Sequence, residues 1–410
     1  MSTICPVRHI KGNIMTPKIK SLHADYLGMF LWFMFIWWFP LTRPYAIKWA
    51  RLTLKRTRDL GYSAISYFMM CNAHFAPMIP WMRKKVDGTL QVQFDQPCDK
   101  WWEGLTQWYK LIKETGIDVN GEYHPAQIIE PIDCGFMARY NDWIFASIGG
   151  MYSPRAIEVQ ITFYRRMLIL RHNILGANAP LRLLNEPPHD GSDATGHMVH
   201  DWHRDVYRGI QDLLPVKYIY VDVHNEYAKA PFCAKHKCPK CDRYLGGPEF
   251  LKNGKPQIVP EVHGCVLIGN LKQGDFDIVL NSPTWRQAGE KRSGDGMAGT
   301  LAYLCKGFAI KLNGRILWRA PNKEQYVEML EYALSRAAEK GFPLRYGYFP
   351  LETLKFRTWI SNWRKEPQWW REQLTDKKVF VKRDLLESYR PAAINWAIAE
   401  ALAEVARKYQ

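Results

Sequence analysis

Residues 181–188 read LRLLNEPP. The run is short and rich in leucine, and two prolines stop it, so it predicts a buried strand that ends at the Asn185-Glu186 pair. A long helical stretch from Pro154 to about Leu175 precedes it, and a helix around HDWHRDVYRGIQDLL (200–214) follows. A strand held between two helices is one unit of a parallel βαβ series.

The same alternation recurs on both sides of this strand. YAIKWARLTLKRTRDLG has Ile47, Ala50, Leu54 and Leu60 at roughly helical spacing, with Gly61 to stop it, and YSAISYFMM (62–70) reads as a buried strand. DKWWEGLTQWYKLIKETG (99–116) predicts a helix with Asp99 as cap and Gly116 as terminator, and IDVNGEYHP (117–125) predicts the next strand. Beyond 188, further strands are expected at KYIYVDVHNEY (217–227), IVPEVHGCV (258–266), FDIVLNSPTW (276–285) and FAIKLNGRILW (308–318).

The most apolar stretch is LGMFLWFMFIWWF, Leu27 to Phe39. Its thirteen residues are too few to span a bilayer, which takes about 20. It lies behind His23 and Asp25, with no small-residue cleavage site after it, so it does not read as a signal peptide. It is expected as a core strand and pocket wall. The chain is accordingly expected in the cytoplasm, or released without a standard signal, and without a membrane partner.

Counting that run as the first strand gives eight strands, which fits a closed (β/α)8 barrel better than an open doubly wound sheet. GxxxxGK[ST] does not occur, so a P-loop fold has no support. GxGxxG occurs once, as GDGMAG (294–299), but eight residues separate it from the expected strand at 276–285, so it lacks the strand-to-turn context of a dinucleotide fingerprint. The expected architecture is a barrel over residues 20–345, a cysteine-rich insertion at 228–257 within it, and a C-terminal helical extension at 346–410 packed on the barrel.

In such a barrel chemistry sits at the C-terminal ends of the strands. Read in order, those ends carry His124, then Asn185 and Glu186, then His224 and Glu226, then Glu261 and His263, then Asn281, Ser282 and Trp285, and finally Trp318.

These residues bring a resemblance into view. LLNEPP, between two helices and four strands into the series, resembles the fourth strand of the retaining glycoside hydrolases of the large (β/α)8 clan that includes cellulases and mannanases. EYHP (122–125) and EVHG (261–264) resemble the clan's strand-three and strand-six histidines. RDLGYSAISYFMM resembles the helix-to-strand step where those enzymes read G-x-N-x-hydrophobic. The resemblance spans roughly residues 20–320 and implies that Glu186 is the general acid/base. The chemistry needs a second carboxylate about 5–5.5 Å away in a retaining enzyme.

The clan places that nucleophile at the end of strand seven, where this chain reads VLNSPTW, with Asn281 or Ser282 in place of Glu. If QIVPEVHGC fills that strand, Glu261 is the nucleophile. Glu226 and Glu290 are lesser candidates, and loss of the nucleophile is a further possibility. Asn185 would hydrogen-bond the sugar hydroxyl beside the reacting carbon. His124 and His263 would orient the carboxylates, and Trp285 and Trp318 would form a stacking platform.

Residues 233–241, CAKHKCPKC, offer Cys233, His236, Cys238 and Cys241 as ligands. Three thiolates and an imidazole suit a closed, structural zinc site, and the crowding leaves no open position for catalysis. A redox pair at Cys238 and Cys241 is the rival, and Cys265 is a possible distal ligand. The nine cysteines are not spaced as a disulfide framework.

Lys and Arg total 56 against 40 Asp and Glu, a formal charge of +16, which attracts polyanions. The substrate is therefore expected to be a polysaccharide or oligosaccharide, β-linked and acidic in one version, cut internally. Two other classes stand beside the hydrolase: a catalytically altered barrel that binds glycan or serves structure, and a zinc-knuckle nucleic-acid binder. The last is disfavoured because the basic residues are not concentrated at the knuckle.

Overall fold

The computed structural model describes residues 23–25, 29–70, 79–137, 142–176, 181–185, 193–214, 219–223, 251–252, 255–256, 258–262, 308–312, 315–319 and, near the C-terminus, 400, 403–405 and 407–408. In chain order the elements are β1 (His23–Asp25), α1 (Met29–Trp37), α2 (Arg43–Asp59), β2 (Ala64–Met70), β3 (Trp81–Val86), β4 (Thr89–Pro97), α3 (Asp99–Glu114), β5 (Glu130–Met137), α4 (Pro154–Leu175), β6 (Leu181–Asn185), α5 (Asp193–Ile210), β7 (Ile219–Val223), β8 (Leu251–Lys252), β9 (Lys255–Pro256), β10 (Ile258–Val262), β11 (Phe308–Leu312) and β12 (Arg315–Arg319). Three short 3-10 turns lie at Pro40–Thr42, Pro125–Gln127 and Asp142–Ile148.

Six strands form one sheet in the order β1-β2-β5-β6-β7-β10, and each pairs parallel with the next. Spatial order therefore follows chain order, once the β3–β4 hairpin and the β8–β9 pair are set aside. Helices α1 and α2, α3, α4 and α5 fill the first four crossovers, as parallel pairing demands. Leu181–Asn185 is the fourth strand, the position its sequence suggested.

The sequence accounts for the helix ends. Ser153 caps α4 by accepting a hydrogen bond from the Ala156 N–H at 3.2 Å, and Pro154 occupies the first turn. Gly176 closes it at φ 73° with its N–H bonded to His172 O. In α3 the cap position falls to Cys98, which makes no side-chain cap bond, and Asp99 is the first helical residue, where its charge suits the positive helix end.

Three sequence expectations need correction. The aromatic run is a helix, and the first strand is the short segment before it. All but one of the nine residues of α1 are buried. Phe30 sits 5.7 Å from the Tyr67 ring of β2 and 5.6 Å from Trp108 of α3, and Trp49 of α2 lies in the same core. A helix covered all round has no apolar stripe to give a period, so an unbroken apolar run reads equally as strand.

Second, IDVNGEYHP is a loop closed by a single bridge between Ile117 and Tyr123. Asp118 Oδ1 accepts from the N–H groups of Asn120 and Glu122, and this Asx turn wins over strand extension. The third strand is β5, which begins six residues after His124. Third, FAIKLNGRILW is two antiparallel strands, with Phe308 opposite Arg319, because Asn-Gly is a two-residue hairpin signal. The β3–β4 hairpin turns on Asp87 (φ 47°) and Gly88 (φ 81°).

The sheet face toward the helices is apolar with one polar cluster. Tyr164 of α4 packs where Gly135 of β5 has no side chain, and its hydroxyl donates to Leu183 O of β6. Beside it the buried Asp133 of β5 accepts from the Tyr67 hydroxyl at 2.6 Å and from Arg171 Nη1 of α4 at 2.8 Å. No helix among the described residues is long and apolar enough to cross a membrane.

Candidate functional site at the strand ends

The register brings the C-terminal ends of the middle strands to one level. Met137 of β5 pairs with Asn185, and Val223 of β7 pairs with Val262 of β10. The Leu181–Ile219 pairing, carried along β6, sets Asn185 level with Val223. Asn185 thus closes the fourth strand, and Glu186 is the next residue in the chain. Glu261 lies one residue short of the end of β10, opposite Asp222 of β7. Adjacent strands sit about 4.8 Å apart, so the backbones of β6 and β10, with β7 between them, are separated by about 10 Å.

The other sequence candidates divide three ways. Glu186, His224, Glu226, His263, Asn281, Ser282, Trp285 and Glu290 lie outside the described residues, as do Cys233, His236, Cys238, Cys241 and Cys265. Trp318 lies in β12, opposite Ala309 of β11, and among the described residues this hairpin does not pair with the parallel sheet. β10 is the sixth strand of the sheet counted from β1, and it pairs directly with β7, so Glu261 is on strand six.

His124 is not brought to the strand ends. It precedes β5, at the edge of the sheet where that strand starts. Its Nε2 lies 3.4 Å from Asp118 Oδ2 and 3.7 Å from Glu122 Oε2, and the three ligand atoms fall within 4.8 Å of one another. The Glu122 N–H, with that of Asn120 and the His124 ring, holds the Asp118 carboxyl below its usual range. This cluster pins the loop between α3 and β5, far from the level of Asn185.

One titratable group that the sequence did not single out is His203 of α5. It is wholly buried, its Nδ1 is 2.7 Å from Val199 O, and its ring meets Trp202 edge-on at 4.8 Å. Burial, aided by His200, lowers its pKa from 6.5 to about 4. The unfolded chain therefore binds a proton there between about pH 6.5 and 4 that the folded chain refuses. The stability this gives is complete above the unfolded pKa and falls as pH drops toward the folded one. At 1.36 kcal/mol per pH unit the loss is about 3 kcal/mol. Urea unfolding at pH 7 and near pH 4.5 should show His203→Gln losing much less stability on acidification than the parent, and equal losses would refute the assignment.

No family model matches the chain, and no curated protein matches it. Among solved structures it is similar to one described as the apo structure of a beta-glucosidase 1317, with a TM-score of 0.38 and 11% identity over 74% of this chain and 77% of that one. A likeness of that degree fixes neither fold nor activity.

Proposed function

We propose that the sequential parallel sheet belongs to a (β/α)8 barrel and that the chain is a glycoside hydrolase, cutting a β-linked polysaccharide internally with Glu186 as acid/base. One observation supports this reading: the fourth parallel strand ends on Asn185, with Glu186 the next residue in the chain, and such barrels carry their catalytic residues at the C-terminal ends of the strands. Glu261 is the nucleophile in this reading. A backbone separation of about 10 Å leaves room for two inward-reaching carboxyl groups on either side of a glycosidic bond.

The strand-six position departs from the clan's strand-seven nucleophile, so the retaining outcome rests on Glu261 substituting for it. Asn185 would bind the neighbouring hydroxyl, and His263, two residues beyond Glu261, would set its charge state. Trp285 and Trp318 would stack on sugar rings. His124 drops out of the set because of its place at the opposite edge. The test is reducing-end release from a panel of neutral and carboxylated polysaccharides at low and high salt. Internal cutting of any one supports the reading. Binding without cutting transfers it to the altered-barrel alternative, and salt-sensitive DNA binding without either transfers it to the nucleic-acid reading.

The insertion is proposed to hold one structural zinc on Cys233, His236, Cys238 and Cys241, bracing a loop after the fifth strand. Protein prepared without chelator should carry about one zinc per chain. Replacing Cys238 and Cys241 together by Ser should empty the site and lower the melting temperature; metal-free parent protein would end the proposal.

A further inference from the structure

The outward face of α2 has an unusual composition for a helix in water. Tyr45, Lys48, Leu52 and Lys55 follow one another at three- and four-residue steps, so they share one face. All four are exposed, Tyr45 at 40% and Leu52 at 53%. Phe39 and Leu41, in the turn that enters the helix, are exposed at 52% and 96%. The opposite face of α2 is fully used: Ala46, Trp49, Ala50, Thr53, Leu54 and Thr57 are buried in the core.

The charge is one-sided. α2 carries six basic residues, Arg43, Lys48, Arg51, Lys55, Arg56 and Arg58, against one acid, Asp59. The four arginines meet carboxylates, at Glu103, Glu114, Glu400 and Asp59 respectively. Lys48 and Lys55 have no such pair among the described residues. These two lysines are therefore the charges left to act outward, and they alternate with exposed apolar side chains. Lys100 adds a third cation at the same corner, 4.6 Å above the Trp38 ring.

We infer that this row is a docking surface for an anionic membrane, with α2 lying along the headgroups. Bulky apolar side chains and lysines in alternation match an interface where hydrocarbon and phosphate lie within one side chain's reach of each other. Tyr45 and Trp38 are the side-chain types that settle at headgroup depth. A nucleic acid gives no use for Leu41 held almost wholly in water. A second copy of this chain would set Lys48 and Lys55 against their own equivalents. The apolar run of α1 takes no part, because it is core. This is attachment to a surface, independent of the hydrolase reading.

The experiment is co-sedimentation of the full chain with vesicles of phosphatidylcholine alone and of phosphatidylcholine with phosphatidylserine, at low and high salt. Binding is expected on the mixed vesicles at low salt, weak binding on the neutral ones, and loss on adding salt. Lys48→Gln with Lys55→Gln should weaken binding about thirtyfold, the effect of two cations at such a surface. Leu41→Ser with Leu52→Ser should weaken it at least about tenfold by removing the inserted carbon. Both pairs change exposed positions, so melting temperatures should match the parent. The inference fails if mixed vesicles do not bind, or if both pairs bind like the parent. It fails equally if the same pairs instead weaken binding to a DNA duplex or abolish a dimer in sedimentation equilibrium.

Discussion

Glu186→Gln should reduce hydrolysis of a cleaved polysaccharide by about 10²- to 10⁴-fold, the contribution of a positioned general acid. The amide keeps the shape and most of the hydrogen bonding of the acid but has no proton to give the leaving oxygen. Glycan affinity should therefore change little, and the loss should appear in kcat rather than KM. A substrate whose leaving group needs no protonation, an activated aryl glycoside, should recover part of the first step. The partner substitution, Glu261→Gln, should be no less damaging and should not be rescued that way, because a nucleophile is needed whatever the leaving group. Turnover of Glu186→Gln equal to the parent would remove this residue from the chemistry. Loss for Glu186→Gln beside full activity for Glu261→Gln would move the second carboxylate to Glu226 or Glu290.

The order of the sheet was legible because each parallel crossover writes itself into the sequence as an apolar run, a helix with its caps and another apolar run. Two errors left the order of the first six strands intact. The aromatic run stood in for β1, which at three residues is too short to show a pattern. The loop at 117–125 stood in for β5 because its valine, isoleucine and tyrosine imitate alternation, while the decisive Asx turn at Asp118 is visible only as Asp-Val-Asn-Gly. The two hairpins carried a readable signal of their own, Asp87-Gly88 and Asn313-Gly314, which the alternation of strand and helix does not contain.

The candidate site was legible only where a strand end fixes it. Asn185 is the last residue of β6, and Glu261 is placed by its pairing with Asp222. His124 was misplaced with its strand: a histidine one loop too early stands at the opposite edge of the sheet. The Asp133–Arg171 pair could not be read at all. It joins residues 38 apart on a strand and a helix, and nothing in the spacing marks either as buried.

That pair should show an asymmetric cost when it is broken. Asp133 and Arg171 are both nearly sealed from solvent, 0% and 2% exposed at the side chain, and their contact is 2.8 Å. Taking the two charges from water is costly, and the pair is tolerable because each neutralises the other and Tyr67 donates to the second carboxylate oxygen. Burial pushes the Asp133 carboxyl up, while Arg171, then Tyr67, pull it back. Asp133→Leu strands a guanidinium that cannot release its proton, and should cost about 3–5 kcal/mol in urea unfolding. Arg171→Met leaves a carboxyl that can take a proton and still bond Tyr67, so it should cost less. Its cost should also depend on pH. A carboxyl whose folded pKa lies above its unfolded one lends stability at low pH and loses it as pH rises through the folded value. Arg171→Met should therefore be closest to the parent in mild acid and weakest near neutrality. Asp133→Leu with Arg171→Met together should recover most of the stability, because an apolar pair of similar size has no charge to bury. Equal costs for the two single changes at every pH would mean that the pair is not a buried ion pair in solution.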